Sequence, residues 1–209
     1  MHTVTSSPTL GTGPRTAAQQ DRRRRILDAT AVLASAGGFD AVQMRAVADR
    51  AGVALGTLYR YFPSKVHLLV SVLARELAGA NAAFERRPMP QRAPADRVTD
   101  VLDRVSRSLR REPNLTEALI RAFMFADASV AAETDAVAAE VRRMLLRAMW
   151  EPGSPVGEPT EDQLAVAKVI GDVWLASLVQ WVTGRAGVSD VEQSLEVAVR
   201  LLLRPAADR

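Results

Sequence analysis

Residues 43–65 read QMRAVADRAGVALGTLYRYFPSK, and this stretch decides the fold. Met44, Val47, Ala48 and Ala51 recur at helical spacing and mark one apolar stripe on a short helix. Gly52 follows, and glycine takes the left-handed backbone conformation that ends a helix in a tight turn. A second short helix is expected from about Ala54, carrying Leu55 to Tyr61. Ala48 is small where the two helices would cross, and Val53 and Leu58 are apolar where they would pack. Helix, glycine turn and helix are the parts of a helix-turn-helix, whose second helix lays its outward residues in the DNA major groove. A plain helical hairpin shares these packing positions, so the polar residues have to separate the two readings.

They favour DNA. Thr57, Tyr59, Tyr61 and Lys65 offer donors to phosphate oxygens, and Arg60 is long enough for a phosphate or a base edge. Pro63 stops the helix, and Ser64 is placed to cap the next one, whose first N–H groups suit a phosphate. Residues 46–65, AVADRAGVALGTLYRYFPSK, resemble the DNA-binding signature of TetR-family transcriptional regulators. Gln43 departs from the threonine that often caps the first motif helix in that family; it is a poorer cap, but it still donates to phosphate. With the basic cluster upstream, the candidate DNA-contacting residues are Arg22, Arg23, Arg24, Gln43, Arg45, Ala54, Leu55, Gly56, Thr57, Tyr59, Arg60, Tyr61 and Lys65.

Charge is divided along the chain in the same sense. Residues 1–65 hold nine Lys or Arg and four acids, a net of +5 within a total of +3, so the remainder is slightly acidic. A basic head on an acidic body suits a polyanionic partner for the head alone. The absence of Cys excludes disulfides, zinc ribbons and thiol catalysis, and with only His2 and His67 histidine-based metal or triad chemistry has almost nothing to work with. The acid pairs Glu133/Asp135 and Glu161/Asp162 fit helix-start charges better than general acid–base pairs, and no phosphate-cradling glycine loop is present. The sequence therefore predicts no enzyme, no cofactor and no metal. The first residues lack an apolar run suited to a signal peptide, and no uninterrupted apolar segment approaches the length of a membrane span. A cytoplasmic protein is expected.

An all-α architecture of about nine helices is predicted. Residues 1–18 read as a disordered tail, 19–65 as the helix-turn-helix domain, and 66–205 as a helical effector-binding and dimerisation domain. A first helix is expected from Gln19 to Ser35, ended by Gly37-Gly38, with Phe39 plugging the head. Its cluster Arg22 to Arg25 opposes the helix dipole, a cost that an anionic partner would offset. A long helix from Ser64 to about Arg87 joins head to body, with His67 as a surface or boundary side chain. Further helices are expected over 95–111, from Pro113, from a Ser129 cap, over 160–183 and over 189–203. Thr160/Gln163 and Ser189/Glu192 are read as capping boxes for the last two, and Pro205 as the end of the second. Residues 151–159 read as a mobile loop.

The helix after Thr160 is apolar around most of its circumference, so burial on two sides is expected. Val173, Trp181, Leu195, Val199 and Leu202 are the candidates to meet a second subunit, against the alternative of one large monomer core. The body exceeds what dimerisation requires, which points to a regulatory cavity. Leu102, Val105, Leu109, Phe123, Met124, Met144, Trp174 and Leu178 are candidates to line it, although each singly also fits a packed core. Arg121 is a candidate for an acidic ligand group, with an ion pair to Glu117 or Asp127 as the alternative that its spacing favours.

Beyond the head, residues 42–70, 116–135 and 158–183 resemble the KstR-like repressors of cholesterol and steroid catabolism in actinobacteria. The resemblance implies a homodimer on double-stranded operator DNA, its last two helices pairing with their copies. It also implies release by a small-molecule effector, a steroid catabolite as its coenzyme A thioester. An effector-independent DNA-binding factor, or a TetR-type regulator of efflux or other lipid genes, stays open as the alternative.

Overall fold

The computed structural model describes residues 14–150 and 157–204; the expectations for the tail before Pro14, for the first part of the 151–159 loop and for Pro205 lie outside them. Among the described residues the fold is all-α. Its helices are α1 (Pro14–Ala41), α2 (Met44–Ala51), α3 (Leu55–Tyr61), α4 (Lys65–Glu85), α5 (Pro94–Arg111), α6 (Pro113–Met124), α7 (Ala131–Met149), α8 (Glu161–Val182) and α9 (Val188–Leu202). A single 3-10 turn, Ala128–Val130, precedes α7.

Helix α1 begins inside the stretch expected to be tail, because Pro14 suits a first helical turn and the alanines and glutamines after it favour helix. It breaks at Gly37 and Gly38, the latter at φ 67, then makes one more turn through Phe39 to Ala41. The head closes around Ile26, Leu27, Ala34, Val42, Val47, Ala48, Leu58 and Phe62, all buried. Between α2 and α3, Gly52 sits at φ 64 and ψ 43. Its N–H donates to the Asp49 carbonyl at 3.2 Å and the Val53 N–H to the Ala48 carbonyl at 3.0 Å. This paired termination satisfies two end carbonyls and sets the angle at which α3 leaves α2.

Helix α4 runs from the head into the body and packs on α1, α6 and α7. Ser64 caps it, its hydroxyl accepting from the His67 N–H at 3.4 Å. His67 is buried rather than at the surface, since its ring bridges Ser64 Oγ at 2.9 Å and the Ser129 carbonyl at 3.0 Å. The cap expected at Ser129 belongs instead to Asp127, whose carboxylate accepts the Ser129 N–H at 2.9 Å and its hydroxyl at 2.6 Å. Thr160 and Gln163 form the expected capping box, with bonds of 3.2 and 2.9 Å. Helix α9 starts one residue earlier than expected: Asp190, not Glu192, reaches back to the Gly187 N–H at 2.8 Å. Glu192 is drawn off by Arg110 at 3.2 Å.

Helix α8 holds an 18-residue window of mean hydropathy 1.4, enough by length and composition alone to span a bilayer, but charged residues interrupt its apolar run, as expected. It carries the ion pair Lys168–Asp172 at 2.5 Å near its middle and packs against α6, α7 and α9 as a bundle helix.

One buried charge went unread in the sequence. Arg97 of α5 is 1% exposed and faces carbonyls alone. Its guanidinium donates to Ala148 at 2.8 Å, Met149 at 3.1 Å and Trp150 at 2.8 Å, and to the carbonyl of Arg92. A cation there answers the negative end of the α7 dipole and the helix's orphan carbonyls together. Arg97→Ala strips these acceptors of their donor inside the core. Urea unfolding should show a loss of roughly 2–4 kcal/mol.

Candidate DNA-reading head and effector cavity

Two places in the molecule are candidates to meet a ligand. The first is the outer face of α3. Ala54, Leu55, Gly56, Tyr59 and Arg60 are exposed on it, Thr57 and Tyr61 are half-buried at its edges, and Gln43 and Arg45 are exposed at the start of α2. The Gln43 side chain caps nothing in α2 and donates to the Asp40 carbonyl at 2.9 Å. Arg22, Arg60 and Tyr61 line one concavity together with Gln19, a residue the sequence reading did not single out. The groove therefore joins the first turns of α1 to the end of α3 and offers two guanidiniums and a phenol to a phosphate strand.

The other arginines of the cluster divide by partner. Arg23 lies over the Phe62 ring at 5.4 Å. Arg24 bonds Asp21 at 2.6 Å, and this contact holds the Asp21 carboxyl below the usual carboxylate range. Arg25 donates to the Ala51 carbonyl at 2.8 Å and so completes the end of α2. Lys65 turns away from the α3 face: its ammonium donates to the Phe39 carbonyl at 3.1 Å and sits 3.9 Å from that ring's centroid.

The second place is a cavity of about 490 Å³ in the body, enclosed by α4, α6, α7 and α8 with one residue of α5. Leu109, Phe123, Trp174 and Leu178 of the sequence candidates line it, with Leu73, Leu77, Ile120, Val137 and Val141. The Trp174 indole N–H donates to the buried Ser106 hydroxyl at 3.0 Å, which locks the ring as a wall. Gly171 keeps the gap between α7 and α8 narrow, since a Cβ there would stand 3.2 Å from Val141 Cγ1. Arg142, Lys168 and Asp172 stand exposed around the opening between these helices.

A smaller space of about 270 Å³ lies behind Leu73, Leu77 and Leu109 and takes Val105 in its wall. Leu102 and Met144 are core residues that line neither space. Arg121 and Met124 also stand apart from the cavity. Met124 is 52% exposed at the end of α6, and Arg121 pairs with Glu117 at 3.4 Å and Asp40 at 3.2 Å. Both follow from helical geometry: with Ile120 and Phe123 inward, positions 121 and 124 turn outward. Among the described residues no group of acids or histidines is arranged to hold a metal ion.

Two family profiles together cover most of the chain. The profile "Bacterial regulatory proteins, tetR family" matches residues 26–72, and "Tetracyclin repressor-like, C-terminal domain" matches residues 92–202. The chain belongs to the TetR family of transcriptional regulators. It is 56% identical to the HTH-type transcriptional repressor KstR of Rhodococcus jostii, over 92% of this chain and 87% of that protein. To the KstR of Mycobacterium tuberculosis it is 53% identical, over 89% and 82%. A crystal structure of a TetR transcriptional regulator from Rhodococcus sp. RHA1 superposes with a TM-score of 0.81 at 33% identity, covering 90% of this chain and 99% of that one. The protein is thus a TetR-family regulator closely related to actinobacterial KstR-type repressors, and such regulators are DNA-binding transcription factors, not enzymes.

The arginines of the head should separate in solution. Arg22→Ala and Arg60→Ala should each weaken operator binding and lower the slope of log affinity against log salt by about one. Arg25→Ala should instead cost about 1 kcal/mol of stability through the lost Ala51 contact, read from thermal melts.

Proposed function

We propose that the protein is a repressor that binds operator DNA as a homodimer and lets go when a steroid catabolite, carried as its coenzyme A thioester, enters the body. The observation that carries this reading is the cavity: its wall is apolar nearly throughout, while Arg142 stands at its mouth beside the Lys168–Asp172 ion pair. Such a lining suits a rigid hydrocarbon skeleton inside, with an anionic portion left at the rim. The close relation to KstR-type repressors supports the steroid class.

A dimer is needed because two heads must reach half-sites about 34–36 Å apart. The residues that would bring two copies together differ from those first expected. Leu195 and Val199 are buried within the protomer against α5 and α8, so they are closed to a partner. Helix α9 carries two apolar stripes, and the one with more apolar positions, from Val191 through Leu195 and Val199, is consumed by the protomer's own core. Val197 and Leu201 form the outward stripe, 51% and 57% exposed, and Val169 of α8 is exposed as well. Val173, Trp181 and Leu202 are half-buried and sit at the edges of this face. The dimer surface proposed is therefore Val169, Val173, Trp181, Val197, Leu201 and Leu202. The regulator works in the cytoplasm, where its operator lies.

Release follows if the effector binds the DNA-incompetent arrangement of the two heads more tightly than the competent one. The deciding experiment is a gel-shift titration of a palindrome-bearing upstream region at fixed salt, with cholestenoyl-coenzyme A, lauroyl-coenzyme A or free coenzyme A. Release by the steroid thioester alone is the expected result. Selective DNA binding that no thioester disturbs would discard the effector class, and salt-sensitive binding without sequence preference would favour an effector-independent factor. Leu178→Trp, which fills the cavity, should weaken thioester binding by at least about tenfold in calorimetry and leave operator affinity unchanged.

A further inference from the structure

Helix α6 serves the cavity and the head at once. Ile120 and Phe123 face the cavity, whereas Glu117 and Arg121, one turn apart on another face, grip the glycine kink of α1. Glu117 Oε2 accepts the Phe39 N–H at 2.9 Å, and Glu117 Oε1 accepts from Arg121 at 3.4 Å. The Arg121 guanidinium also reaches Asp40 at 3.2 Å and lies over the rings of Phe39 and Phe125, at 4.6 and 6.0 Å. A Cβ on Gly38 would stand 2.8 Å from Glu117 Oε2, so the kink and the carboxylate are fitted to each other without room for a side chain. Lys65 at the start of α4 also holds Phe39, through its carbonyl and its ring.

The held segment leads straight into the DNA-reading unit. Asp40 accepts the Gln43 side chain at 2.9 Å, Val42 is fully buried in the head, and Gln43 begins α2. Arg121 and Asp40 are 40% and 79% exposed, so their ion pair contributes little to folding. What it fixes is the angle of the kink.

We propose that Glu117 and Arg121 form a clamp that transmits occupancy of the cavity to the orientation of the helix-turn-helix head. They are positioning residues and touch neither effector nor DNA. When Ile120 and Phe123 give way to a ligand, α6 carries the clamp with it, and the Phe39 segment turns α2 and α3. The proposal rests on the effector reading above.

The test compares wild type with Glu117→Gln, which keeps an acceptor for the Phe39 N–H but loses the charge, and with Arg121→Ala. Operator affinity is measured by fluorescence anisotropy at fixed salt, with and without saturating cholestenoyl-coenzyme A, and the affinity for the thioester by calorimetry. Both variants should bind operator and thioester within about threefold of wild type, while the thioester-induced loss of operator affinity shrinks at least about tenfold. Release of wild-type size in both variants overturns the clamp, and so does outright loss of operator binding, which would make the pair a mere support. A second measurement needs no effector. Arg50→Cys places one thiol in a chain that has none, and a spin label on it reports the distance between the two heads of a dimer. That distribution should widen in both clamp variants, and an unchanged one overturns the proposal. A wild-type operator complex that no thioester dissociates defeats the effector reading alone and leaves the spin-label distances to decide the clamp.

Discussion

Seven consecutive residues of α4, from His67 to Leu73, are buried, and the rest of the molecule is arranged around that fact. A helix buried around its whole circumference for two turns must be covered from every side. Helix α1 covers one side, α6 and α7 cover others, and the head and body are thereby fused along one element. A head of about fifty residues buries too little surface to stand firmly alone. Sharing α4 solves this, and it also denies the head independence from events in the body. The polar residues in the buried stretch show how completely it is enclosed: His67 is satisfied at both ring nitrogens, and Ser71 Oγ has no partner among the described residues.

The head was legible because its signals are local. The stripe of Met44 to Ala51, the left-handed Gly52 and the Ser64 cap each act within a few residues, and each is found where the spacing predicts it. Errors arose where two readings of equal local merit compete. Ser129 and Asp127 are both good caps, and the carboxylate wins because it accepts from the Ser129 backbone and hydroxyl together. Helix α9 has two apolar stripes, and nothing in its own sequence says which one the protomer keeps. Arg97 and His67 were illegible for a different reason, since most of the groups that hold them, the carbonyls of Ala148, Met149, Trp150 and Ser129, lie 51 to 62 residues away. Backbone acceptors carry no mark in a sequence.

The basic cluster of α1 shows how alike charges part in function once packed. Arg25 completes a helix end, Arg23 lies on an aromatic ring, Arg24 is matched by Asp21, and Arg22 faces the groove beside α3. Their common cost at the start of a helix is offset for three of them by contacts within the chain, and Arg22 is left facing the groove. Composition reports the sum of such charges, and three-dimensional placement reports their availability.

The wall formed by Leu73, Leu77 and Leu109 separates the large cavity from the smaller one behind it. Leucine side chains change rotamer without disturbing the helices that bear them. The partition is thus a matter of side-chain torsions, and the internal volume can be lengthened or shortened while the backbone scaffold and the outer face of α3 stay as they are. A single substitution at any of these three positions would therefore join the two spaces or part them further without a change in the helices around them.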